Sequence, residues 1–130
     1  MAERDTTNYY EMFGGAPFFA DLVSQFYARV ATNEILRPMY PESDMAGAAR
    51  RLQMFLEQYW GGPTTYQEER GHPRLRMRHA GFKIGPAAKN AWLECMEAAV
   101  NGTDIDDVSK AKLWTYLSGA AEHLLNSFED

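Results

Sequence analysis

The chain has 130 residues, 45% of them hydrophobic, with 18 acidic against 13 basic side chains and a formal charge of −5. That length holds one core, so a single domain over residues 1–130 is expected, and the acidic balance argues against a general nucleic-acid or anionic-membrane surface. The opening MAERDTTNYYEMF shows no basic segment followed by an apolar run, and no stretch approaches the roughly eighteen apolar residues of a membrane span, so the expected compartment is the cytoplasm.

The predicted elements are all helical. A short start around Asn8 to Phe13 is broken by Gly14-Gly15, after which Phe19, Leu22, Val23, Phe26 and Val30 recur at helical spacing through about Asn33. A turn or short helix covers Glu34 to Met39, and Pro41 disfavours helix at Tyr40. Ser43 or Asp44 suits the N-cap of the next helix, whose stripe is Met45, Ala48, Leu52, Phe55 and Tyr59 and whose end is Gly61-Gly62-Pro63. Thr64 to Gly71 is polar and aperiodic and reads as an eight-residue loop, and His72 to Gly81 has room only for a short helix. Gly85-Pro86 opens a longer helix carrying Ala88, Ala91, Trp92, Cys95, Met96 and Ala99, closed by Gly102. Asp106 or Asp107 starts the last, with Leu113, Trp114, Leu117, Ala121, Leu124 and Leu125 as its stripe. Cys95 is the sole cysteine, which precludes an internal disulfide and fits a small buried hydrophobe in a reducing compartment.

The irregular stretch before the helix opened by Gly85-Pro86 holds two of the three histidines. In GHPRLRMRHAGF, Gly71 to Phe82, apolar Leu75, Met77 and Phe82 alternate with Arg74, Arg76 and Arg78, and on a helical turn Leu75 and His79 share a face. That arrangement suits a planar apolar ligand with an anionic edge. Taken alone, a histidine among hydrophobes is more often hydrogen-bonded than a metal ligand, and the arginines are more often a solvated face. The residues by themselves leave both readings open. A non-haem metal site is disfavoured, because His72, His79 and His123 match no common ligand spacing.

MFLEQYWGG (Met54 to Gly62) followed by GHPRLRMRHA (Gly71 to Ala80) resembles the truncated haemoglobins of the second group, the two-over-two helical globins of bacteria and plants. Both Gly-Gly pairs, Phe26-Tyr27, Tyr40-Pro41 and Ala91-Trp92 fall in the same order, so the likeness covers nearly the whole chain. It implies an all-α truncated-globin fold, a two-over-two sandwich with the first two of the four main helices (B/E) packed over the last two (G/H), around haem b. It makes His79 the proximal iron ligand, its other ring N–H donated to a carbonyl for which that of Leu75 is a candidate. Arg76, Arg78 and His72 would serve the haem propionates, where guanidinium can pair with carboxylate through two hydrogen bonds, and Leu75, Met77 and Phe82 would contact the ring.

On the gas-binding side the resemblance puts Ala48 where an oxygen-storage globin often has a histidine, with Leu52 and Phe55 on the same inward face. The donors must then come from Tyr27, Tyr40 and Trp92, with Trp92 and Tyr40 at the ligand and Tyr27 tuning them. Ala48 would leave a short gate to the haem that Trp92 partly obstructs. As isolated aromatics all three would read as core, as Tyr59, Trp60, Trp114 and Tyr116 read as core or edge packing. The expected function is reversible binding of oxygen and other diatomics such as CO and NO, with high affinity and slow oxygen release. The alternative is a redox enzyme on the same haem. Nitric oxide dioxygenation would need an external reductase, since the chain carries no flavin or nicotinamide fingerprint. Peroxidase activity is expected to be weak, because the pocket is read as holding neither His nor Arg for acid–base work. A cofactor-free helical interaction module with structural histidines is the third reading, and an exposed aromatic on a helix face would suit a homodimer.

Overall fold

Asn8 begins the first helix: its side-chain oxygen accepts from the Glu11 amide at 3.0 Å, and its amide nitrogen donates to the Gly61 carbonyl at 3.4 Å. Helix α1, Tyr9–Phe13, stops at Gly14, whose φ of +124° turns the chain directly into α2, Gly15–Val30. The structure, a computed structural model, describes residues 8–40, 45–71 and 84–124.

The α2 stripe lies inward as its spacing predicts, with Phe19, Leu22, Phe26 and Val30 fully buried. The helix ends at Val30 rather than near Asn33. The Asn33 side-chain oxygen accepts from the amides of Ile35 and Leu36 at 3.0 and 2.9 Å, a local turn that competes with further helix. A single 3-10 turn, Arg37–Met39, follows and ends on Tyr40.

Helix α3 runs Met45–Tyr59, α5 Pro86–Asn101 and α6 Asp107–Leu124, close to the predicted spans. Asp106 caps α6 by accepting from the Ser109 amide at 2.7 Å. The expected caps Ser43 and Asp44 and the short helix between His72 and Gly81 lie outside the described residues.

One expectation fails. Residues 64–71 are not a loop, because Thr65–Arg70 form a helix, α4. Its sequence, TYQEER, has a single inward residue and hence no period to detect. Tyr66 is buried and meets the Phe55 ring edge-on at 5.8 Å, the Gln67 amide donates to the Gln58 side chain at 2.9 Å, and Glu69 pairs with Arg50. A helix this short is unstable in isolation, so these tertiary contacts are what hold it.

The second glycine pair is also explained. The Tyr10 amide donates to the Trp60 carbonyl at 2.9 Å, and a Cβ on Gly62 would sit 2.5 Å from the Tyr10 ring. Only glycine lets α1 close against the end of α3.

Helix α2 packs on both α3 and α5, and α5 packs on α6, giving two helical pairs with the core between them. Phe19, Leu22, Phe26, Leu56, Met96 and Leu113 fill it. The architecture is all-α, with no strand among the described residues, and it has the expected two-over-two arrangement. Cys95 is buried there, its thiol pKa pushed up chiefly by burial, and the Asn33 side chain contacts its sulphur at 3.7 Å. No helix among the described residues is long and apolar enough to cross a membrane.

Candidate functional site

A cavity of about 390 Å³ lies between the two helical pairs. That size falls within the range of small-molecule and cofactor pockets. From α3 its wall is Ala48, Leu52 and Phe55, four and three residues apart and so on one helical face. α2 contributes Tyr27, the turn after it Leu36, Met39 and Tyr40, and α5 Ala88 and Trp92. All six residues predicted for the gas side therefore face one space.

Their placement follows from local structure. Tyr27 follows the buried Phe26, so its ring leaves the core face of α2 and meets Phe26 edge-on at 5.0 Å. Phe26 also meets Trp92 at 5.4 Å and 60°, which fixes the indole against α2. Tyr40 is held by its own turn. Its amide donates to the Arg37 carbonyl at 3.2 Å, and its carbonyl accepts from the Arg37 guanidinium at 2.7 Å. Asn33 secures the start of that turn, since its carbonyl accepts from the Arg37 amide at 2.9 Å. Buried Leu36 anchors the turn to the core.

Tyr27 and Tyr40 meet nearly at right angles, 86°, with ring centroids 5.6 Å apart. They are also joined by a hydrogen bond between their hydroxyls. Burial raises the Tyr40 pKa above the ordinary phenol value, and that hydrogen bond opposes the rise without cancelling it. Tyr40 therefore remains a neutral phenol, and thus a donor, throughout the ordinary pH range.

The rest of the lining was not anticipated. Tyr66 of α4 and Tyr116, Leu117 and Ala120 of α6 complete an apolar end. Tyr116 stacks on Tyr59 with centroids 3.7 Å apart and planes 21° from parallel, so its reading as core or edge packing misses its cavity face. Two cations also line the space: Arg51 and Lys89, the latter bonded to Glu122 of α6 at 2.8 Å. Arg51 was not among the predicted lining residues, and its presence in the wall leaves the expectation of no distal His or Arg beside the ligand untested. It lies three residues beyond Ala48, a helical neighbour spacing, and that period was the available signal. His79, His72, Leu75, Met77, Arg76, Arg78 and Phe82 lie outside the described residues.

An apolar cavity with hydroxyl and indole donors gathered at one end can hold a largely apolar group and polarise a small ligand beside it. The comparisons with known proteins agree. Residues 8–126 match the family model described as bacterial-like globin. The group 2 truncated hemoglobin of Bacillus subtilis is 40% identical over 115 residues, covering 88% of this chain and 86% of that protein. A thermostable hemoglobin from the actinobacterium Thermobifida fusca superposes with a TM-score of 0.91 at 47% identity, over 95% of this chain and 100% of that one. A truncated oxygen-avid haemoglobin from Bacillus subtilis superposes with a TM-score of 0.86 at 39% identity, over 92% and 100%. The chain belongs to the bacterial-like globins, as a group 2 truncated haemoglobin, a family whose members bind haem and, on it, diatomic gases.

Proposed function

We propose that this globin binds molecular oxygen reversibly, with high affinity and slow release, on a haem b held through His79. The observation that carries the reading is the convergence of Tyr27, Tyr40 and Trp92 on one largely apolar cavity. The residues present fit the group. Leu52, Phe55, Leu117 and Ala121 offer apolar wall for a flat macrocycle, and Arg51 and Lys89 add cations of the kind its carboxylates would need. Arg76, Arg78 and His72 are proposed to share that last task. When bound, haem supplies the iron on which the gas is held.

The chain's own residues then decide the lifetime of the bound gas. Dioxygen accepts partial negative charge on binding, and a donor aimed at it stabilises it more than the less polar carbon monoxide. The indole N–H of Trp92 can only donate, whereas a phenol donates and accepts. Tyr27 donating to the Tyr40 oxygen leaves the Tyr40 proton free for the ligand. Similarity to an oxygen-avid relative supports the same direction.

Stopped-flow oxygen dissociation from the haem-loaded parent and from Trp92→Phe tests this. A buried hydrogen bond to a charged partner contributes about 1.5–3 kcal/mol, so the variant should release oxygen roughly ten- to a hundredfold faster. An equal rate would remove Trp92 from the role.

A further inference from the structure

Helix α4 is a short element of the cavity wall. It has six residues, no side-chain cap at Thr64, and one buried side chain, Tyr66. Tyr66 and its edge-on partner Phe55 both line the cavity. Everything from Gln67 to Arg70 is exposed, and among the described residues the far half of α4 reaches α3 through polar contacts. They include the Gln67 amide to Gln58 and a two-pronged pair, Arg50 Nη1 to Glu69 Oε1 at 2.8 Å and Arg50 Nη2 to Glu69 Oε2 at 2.7 Å. Parallel guanidinium–carboxylate bonds fix orientation as well as distance. Arg50 sits on α3 beside Arg51, itself a cavity residue, so the pair ties α4 to the helix that makes the opposite part of the same wall.

We propose that Arg50 and Glu69 form a clamp that holds α4, and with it the Tyr66 wall, closed over the haem, so that an exposed and salt-screened ion pair sets the residence time of the haem. The inference rests on the cavity being the haem site. Arg50 and Glu69 touch no part of the cavity themselves and act as positioning residues through Tyr66. Their side chains are 58% and 42% exposed, so the pair contributes little to global stability. A short element with an exposed outer half opens locally, however, far below the free energy of global unfolding. Release of a bound group through such an opening responds to the clamp even where melting of the whole chain does not. The screening length of about 10 Å at 0.1 M salt shortens to about 3 Å at 1 M, so salt weakens the clamp.

The test is the rate of haem transfer from the loaded protein to an excess of an apoglobin acceptor, at low salt and in about 1 M sodium chloride. At low salt Glu69→Gln should lose haem about three- to fivefold faster than the parent, the upper range for an exposed pair. The parent should accelerate in salt towards the variant, while Glu69→Gln should hardly respond. The charge-reversed double variant Arg50→Glu/Glu69→Arg should recover most of the parental rate and its salt dependence, which a general loss of stability would not do. Tyr66→Ala should lose haem faster than either single clamp variant. Equal rates for parent and Glu69→Gln, the same salt response in both, no recovery in the double variant, or an unchanged rate in Tyr66→Ala would each overturn the clamp. A parent that carries no haem would remove the site and the clamp together, whereas a loaded parent whose haem loss ignores Glu69 would remove the clamp alone.

Discussion

Two tyrosine pairs meet the cavity, one through both members and the other through Tyr116 alone, and they use the same side chain in opposite ways. Tyr27 and Tyr40 meet edge-on at 86°, which brings their hydroxyls into hydrogen-bonding contact on the cavity side. Tyr59 and Tyr116 lie face to face, 3.7 Å apart and 21° from parallel, with Tyr59 still 51% exposed. The first geometry presents polar groups to the cavity and the second buries ring faces against each other. Residue type sets the menu, and the angle between two rings selects from it.

The sharpest way to break this comparison is to remove one hydroxyl from each pair while keeping its ring. Tyr40→Phe should speed oxygen dissociation roughly ten- to a hundredfold, whereas Tyr116→Phe should leave the rate within a factor of about two, both read by stopped flow. A large effect of Tyr116→Phe on that rate would erase the division of labour. A smaller effect sharpens the other side: Tyr59→Ala removes the stacking partner and should cost about 0.5–1.5 kcal/mol in denaturant unfolding without altering oxygen release.

The smallest expected effect is on pH dependence. Burial raises the pKa of both Tyr40 and Tyr116, and in Tyr116 the neighbouring Tyr59 adds to the rise. The folded chain thus keeps these phenols protonated above the ordinary value of about 10, where an unfolded chain releases the protons. The unfolded state then binds fewer protons, so this stability is fully present below about pH 10 and is lost as the pH climbs towards the folded values. Unfolding midpoints taken from about pH 9 to 11 should fall less steeply in Tyr116→Phe than in the parent.

Much of this was legible in the sequence because it is written locally. The α2 stripe of Phe19, Leu22, Phe26 and Val30, the stop at Gly14 and the start at Pro86 follow from spacing and backbone freedom within a few residues. α4 was not legible, since TYQEER buries one residue and draws its hold from Arg50, nineteen positions back. Arg51 carries no apolar signal, and only its spacing of three residues from Ala48 marks it as a neighbour on the cavity face. Tyr27, Tyr40 and Trp92 carry no signal as aromatics that distinguishes them from Tyr59, Trp60 or Tyr116. Family resemblance picked them out, and the geometry then brought the three to one cavity.

By itself the sequence determined a helical chain, its main breaks and the greasy face of each long helix, because hydrophobic periodicity and turn chemistry act between neighbours. Tertiary structure alone decided which faces would share a space. Phe26 orients Trp92 from another helix, Asn33 and Arg37 shape the turn that delivers Tyr40, and Tyr116 turns a stacked ring towards the cavity. Such contacts depend on how helices pack, and packing is a property of the whole core that no single segment contains.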